Sequence, residues 1–162
     1  MVFSFDCESI GLHGETFSVG WVVVHNGYEL TCGHFTVPRS YVLGDQSDRE
    51  WVDNNVPVFV PTHKSIVSLR EDFWALLQTF KGATILTDCP WPVEANFLTA
   101  CVQQDPVNRK FTGPYPLVDL NSVLVARGLP QVQDRLPNEL PVHNPICDAR
   151  QTARIWSKLH VM

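Results

Sequence analysis

At the start of the chain the apolar positions alternate or run together in the manner of strands, not helices. Val2, Phe3 and Phe5 read as a buried strand that ends in two acids, Asp6 and Glu8. Phe17 to Val24 is apolar and rich in β-branched residues, which predicts a central strand. Asn26-Gly27 is a strong hairpin signal, and the alternation from Tyr28 to Val37 predicts the return strand. Pro38 to His63 is polar and broken by Gly44, Pro57 and Pro61, so it reads as a long irregular loop. A helical period returns with Leu69, Phe73, Leu76, Leu77 and Phe80; Ser68-Leu69-Arg70-Glu71 fits a capping box, and Gly82 supplies the stop. Thr84 to Thr87 predicts a short buried strand ending at Asp88, and Pro92 opens a helix running to about Gln103. Pro116 to Leu120 reads as the last strand, with Asn121 capping a short helix that ends at Arg127-Gly128. Residues 129–145 hold four prolines and form a loop leading into His143. Asn144 is then a good N-cap and Pro145 a good first residue for a final helix, with Ile146, Ala149, Ala153 and Trp156 as its buried stripe.

Composition narrows the class. At 162 residues the chain is expected to form one domain, 1–162, with a sizeable core. Its net charge of −5 excludes a general nucleic-acid coat and argues for a small footprint on any nucleic acid it meets. Cys7, Cys32, Cys89, Cys101 and Cys147 are odd in number and contain no C-x-x-C pair, which argues against a disulfide framework or zinc knuckle and for a reducing, cytoplasmic setting. With no charged n-region before an apolar stretch and no long apolar run, neither a signal peptide nor a membrane span is expected.

The chemistry begins at the end of the first strand. Residues i and i+2 of a strand point to the same face, so Asp6 and Glu8 aim at one point. Two carboxylates held that close raise each other's pKa, and a hard divalent cation between them removes the cost. Asp148 falls in the first turn of the last helix, where the dipole favours its charge.

Asp6-x-Glu8 followed by Ser9, Ile10, Gly11 and Leu12 resembles the first motif of the DEDDh 3′–5′ exonucleases, a superfamily that includes RNase T, oligoribonuclease and the proofreading exonucleases. His143, four residues and then Asp148 resemble its last motif, and the likeness spans nearly the whole chain. Glu50-Trp51-Val52-Asp53-Asn54-Asn55-Val56-Pro57 looks, more loosely, like a segment of small exoribonucleases of the RNase AS type. The resemblance implies an RNase H-like α/β fold, a mixed sheet beginning with three antiparallel strands and flanked by helices. It also implies hydrolysis of phosphodiester bonds from the 3′ end of single-stranded RNA or DNA, RNA being favoured. Two Mg²⁺ or Mn²⁺ ions roughly 3.5–4 Å apart would be held by Asp6, Glu8, Asp148 and one acid from the middle of the chain. His143 would be the general base, a task suited to an imidazole whose unperturbed pKa is about 6.5.

The middle acid is where this sequence departs from the family pattern. Asp88 stands at a strand end and keeps the short side chain the family uses; Glu94 aligns through Phe97-Leu98 but has an ordinary explanation as a first-turn helix acid. The strand-end argument favours Asp88 as ligand, with Glu94 as the alternative. Asp119 reads as a helix-side cap or a neighbour of the ligands. For substrate, Ile10 and Leu12 follow the acids where relatives wedge an apolar side chain against the terminal base, and amides around Gly11 could meet phosphate. Trp51 could stack on a base or pin its loop to the core. Arg150 and Arg154 could face phosphate but read as solvating the last helix, and Arg109-Lys110 reads as a solvated basic loop pair, the alternative being that it extends a partner's groove in a homodimer. Two alternatives share the fold: a degenerate binding or adaptor module, and a proofreading-type DNA exonuclease, for whose partner-binding tail no room is expected after the last helix.

Overall fold

Among the described residues, five strands and six α-helices follow the predicted order, with two helices where loops were expected. The computed structural model describes residues 1–159. The strands are β1 Val2–Ser9, β2 Thr16–His25, β3 Tyr28–Thr36, β4 Thr84–Thr87 and β5 Leu117–Asp119. The helices are α1 Gln46–Asn55, α2 Ile66–Thr79, α3 Val93–Gln104, α4 Pro106–Arg109, α5 Leu120–Ala126 and α6 Pro145–Leu159. They form one mixed sheet in the order β3-β2-β1-β4-β5. The first three strands pair antiparallel, and β4 and β5 run parallel to β1. Asn26 and Gly27, both at positive φ, make the β2–β3 turn whose twist matches that of the strands.

The pleat of β1 sorts its residues between two cores. Phe3, Phe5 and Cys7 pack with Leu69, Phe73 and Leu77 of α2 and Phe97, Leu98 and Cys101 of α3. On the other face Val22, Val24 and Leu86 meet Ala149, Ala153, Ile155 and Leu159 of α6, together with Leu120 and Leu124 of α5. Asp6 and Glu8 alternate with the first set, so they face α6. Among the described residues no helix is long and apolar enough to cross a membrane.

Several local expectations are corrected. The 38–63 stretch contains α1, which buries only Val52 and so shows no helical period. It is fastened by polar bonds instead: Arg39 reaches Asp53 and the carbonyls of Val56 and Pro57, and Arg49 reaches the carbonyls of Arg39 and Val42. Helix α2 starts a turn earlier than the capping box suggested, because Ser65 accepts from the Ser68 amide, and Glu71 pairs with Arg109 instead of closing a box. Arg109 is therefore buried on α4, not a free loop cation. Helix α5 is capped by Asp119 through the Ser122 amide, not by Asn121. Arg150 pairs with Glu29 and Arg154 with Glu139, so neither is simply solvated.

A glycine on β2 sets the height of α6. Gly20 lies opposite Asp6 in the β1–β2 register, and a Cβ there would come within 2.4 Å of the Ile146 nitrogen and of the Pro145 carbonyl carbon. The helix start can rest on the sheet only because that side chain is missing. Gly20→Ala should lift α6, lower stability by about 1–3 kcal/mol as overpacked sites do, and move Asp148 away from Asp6 and Glu8. Thermal denaturation together with Mn²⁺ titration checks this; an unchanged melting temperature with unchanged affinity refutes it.

Candidate active site

The acids gather where β4 gives out. Ser4 lies beside Leu86 in the parallel ladder, so two residues further on Asp6 is level with Asp88, on the face that meets α6. No β4 residue pairs with Cys7, and the Cys7 amide donates to Glu94 Oε1 at 3.0 Å. Glu94 thus reaches from the first turn of α3 to the strand between Asp6 and Glu8, and it is 4 % exposed. Asp148 arrives from the first turn of α6, whose start is fixed by the Ile146 amide bonding Asn144 Oδ1 and the Asp148 amide bonding the Asn144 carbonyl. One ligand atom each from Glu8, His143 and Asp148 lie within 4.8 Å of one another. Asp88 is exposed at the rim, where its carboxylate accepts from the Cys89 amide.

This crowding is electrostatically expensive. Burial pushes Asp6 well above the usual carboxylate range, and the charges of Glu94, Asp148, Asp88 and Glu8 push it further. Glu8 is pushed up to about 8 by burial and then by Asp148 and Glu94. Glu94 is also pushed up to about 8, by burial first and Asp88 after it. Asp148 is raised by burial, an effect that its ion pair with Arg135 opposes. Asp88 is raised by partial desolvation, with the Cys89 amide opposing. Buried carboxyls that repel one another suit a hard divalent cation, which takes oxygen ligands and repays the desolvation.

His143 sits at the mouth. Its backbone is in the left-handed region at φ 58°, a conformation costing roughly 1 kcal/mol in a residue with a side chain. Its Nδ1 is 3.9 Å from Glu8 Oε1, and its side chain is 41 % exposed. The edge of the ring meets Trp51 of α1 at 5.2 Å between centroids. A cavity of about 270 Å³ lies between them, walled by Glu8, Leu12, Asp48, Trp51, Val93 and His143.

Two expected substrate contacts separate here. Leu12 is 67 % exposed beside the acids, whereas Ile10 is 1 % exposed and packed in the core against the Gly44 backbone. Ile10 therefore has no surface to offer a base. Gly11, at φ 77°, turns the chain out of β1 and lies against the Asp48 carboxylate. Trp51, half exposed, faces the cavity instead of pinning a loop.

A five-stranded mixed sheet that opens with an antiparallel meander, flanked by helices and with acids at the carboxyl end of its first strand, is an RNase H-like α/β fold. Among solved structures, the chain is similar to S. pombe Pop2p in a form with Mg²⁺ and Mn²⁺ bound: the TM-score is 0.70 and the identity 13 %, over 98 % of this chain and 82 % of that one. No family model matches the chain, and neither does any curated protein. At that identity the likeness establishes the fold, and it lends no support to the RNase T or RNase AS type in particular.

Proposed function

We propose that the protein is a metal-dependent 3′–5′ exonuclease acting on single-stranded nucleic acid, RNA in preference to DNA. The observation that carries this reading is the convergence of Glu8, His143 and Asp148 on one point, with Asp6 and Glu94 crowded behind them. Solved Pop2p with Mg²⁺ and Mn²⁺ bound, on the same fold, supports the choice of ion. Asp6, Glu8, Glu94 and Asp148 would hold the cations, with Asp88 at the rim; the burial of Glu94 and its charge coupling to Asp6 favour it over Asp88 as the middle acid. When bound, divalent ions would polarise the scissile phosphate and acidify the attacking water.

The remaining work falls to this chain's own side chains. His143, exposed at the mouth and 3.9 Å from Glu8, accepts the proton of the attacking water. Trp51 and Leu12 offer apolar surface on either side of the cavity for the terminal base.

The test is incubation of 3′-labelled and 5′-labelled RNA and DNA oligonucleotides with Mg²⁺, with Mn²⁺ and with EDTA. Stepwise loss from the 3′ end that EDTA abolishes is expected, faster on RNA. Persistent cleavage in EDTA refutes the reading, and tight binding without cleavage returns the protein to the adaptor class. In the same assay His143→Ala should lose about 10²- to 10⁴-fold in turnover, as general-base removals do, while still binding Mn²⁺ and oligonucleotide. Near-normal turnover in that variant removes His143 from the chemistry.

A further inference from the structure

One cation already stands on the acids. Arg135 lies in the stretch between α5 and α6, and its Nη1 donates to Asp148 Oδ1. The same nitrogen donates to the Glu139 carbonyl at 2.9 Å. The pair is largely enclosed, with 24 % of the Arg135 side chain and 14 % of the Asp148 side chain exposed. It ties the 129–144 stretch, which carries His143, to the first turn of α6. That stretch is also held to α6 by bonds that touch no acid of the site, from Cys147 to the Leu140 carbonyl, Arg150 to the Asn138 carbonyl and Gln151 to the Gln133 carbonyl. Glu139, 1 % exposed, is gripped through both oxygens by Arg154, which also holds the Asp134 carbonyl.

Arg135 differs from these other anchors in what can replace it. Arg154 and Glu139 satisfy each other away from the crevice. Arg135 occupies an oxygen of Asp148, the carboxylate that shares a point with Glu8 and His143. A guanidinium bonded to one oxygen of a carboxylate repels a divalent ion brought to the same carboxylate, so the two charges oppose each other at Asp148.

We infer that Arg135 is a positioning residue that competes with the divalent cation for Asp148, holding the carboxylate before metal enters and giving it up as it does. This rests on the metal site proposed above. Arg135 thus acts as a resident counter-ion, and part of the binding energy of the metal goes into displacing it.

The measurement is Mn²⁺ affinity by calorimetry or electron paramagnetic resonance on the intact chain, with melting temperatures taken with and without Mn²⁺. Arg135→Gln removes the competitor and should bind Mn²⁺ about tenfold more tightly, within the usual range of coupling between two ligands. It should also melt lower than the parent without metal, because a carboxylate in the acid cluster loses its partner. Saturating Mn²⁺ should then raise its melting temperature by more than it raises the parent's. Arg135→Lys, which can offer one nitrogen to the same two acceptors, should lie near the parent. Arg39→Gln is the control: Arg39 is close enough to act on Glu8 but spends its bonds on Asp53, Val56 and Pro57. It should leave Mn²⁺ affinity within about twofold of the parent's if contact, not general field, is the cause.

Equal or weaker Mn²⁺ binding by Arg135→Gln overturns the inference, as does an equal gain in Arg39→Gln. Asp148→Asn separates this from the underlying reading. If the parent binds Mn²⁺ and Asp148→Asn does not, the metal site stands whatever Arg135 does. If the parent binds none, the site and the inference fall together.

Discussion

Asp6→Asn should abolish turnover and, without metal, yield a protein that melts higher than the parent. Asp6 is held well above the usual carboxylate range by burial and by Glu94, Asp148, Asp88 and Glu8, so its negative charge is opposed from every side. Asparagine keeps the shape and removes the charge. The loss in rate should be at least about 10³-fold, equivalent to roughly 4 kcal/mol of transition-state stabilisation. The gain in stability should be a few degrees, since about 1 kcal/mol shifts a chain of this size by ~2–4 °C. Glu94→Gln should behave the same way: the amide oxygen still accepts from Cys7, and only the charge is gone. Asp88→Asn, at the exposed rim, should do less on both counts. Steady-state rates and melting curves in EDTA decide. A loss confined to Asp88→Asn assigns the middle position to the strand-end acid.

The metal-free protein should lose stability as pH rises from 6.5 to 8, and saturating Mg²⁺ should remove that loss. Glu8 and Glu94 both sit near 8 when folded, against the ordinary 4.5 they regain on unfolding. Between those values the folded chain keeps protons that the unfolded chain has released, so each rise in pH favours unfolding. Asp6, raised in the same direction, adds to the effect. His34 opposes it lower down. Burial pushes that imidazole down to about 4 from 6.5, which makes stability rise with pH between those two values. Above 6.5 the His34 contribution is complete and the carboxyls act alone. Metal binding requires deprotonated ligands, so Mn²⁺ added at pH 7 should also release protons in excess of one per chain, visible in weakly buffered solution. A melting temperature that climbs from 6.5 to 8 in EDTA, or metal uptake without proton release, contradicts the arrangement of charge described here.

What could be read along the chain was what depends on neighbours in sequence. Strand alternation put Asp6 and Glu8 on one face, and the Asn144-Pro145 start placed Asp148 in the first turn of α6; both hold in the fold. The Asn26-Gly27 turn and the bounds of β4 came from local chemistry in the same way. The features that escaped are made by distant segments. Helix α1 buries one residue and is tied down by arginines bonding carbonyls, so no period announces it. The proposal of Glu94 over Asp88 draws on a tertiary fact, that β4 stops short of Cys7 and leaves an amide for Glu94 to take. Ile10 and Leu12 looked equivalent until the turn at Gly11 sent one into the core and the other outward. Gly20 did carry a signal, since a glycine inside an apolar strand marks a close backbone approach, but only the fold says that α6 is what approaches. Arg135 carried none, being one polar residue in a proline-rich stretch.

The acids come from a strand near the N-terminus, a helix start in the middle of the chain and another helix start near its end, joined through a glycine on a further strand. No fragment that lacks one of these segments owns a complete set. On the proposed reading, affinity for a divalent ion is therefore a reporter of the whole tertiary arrangement. During refolding, Mn²⁺ uptake should be among the last signals to recover, after helical circular dichroism and with closure of both cores. An ion added early would bias the search toward the native arrangement by binding nothing else as well.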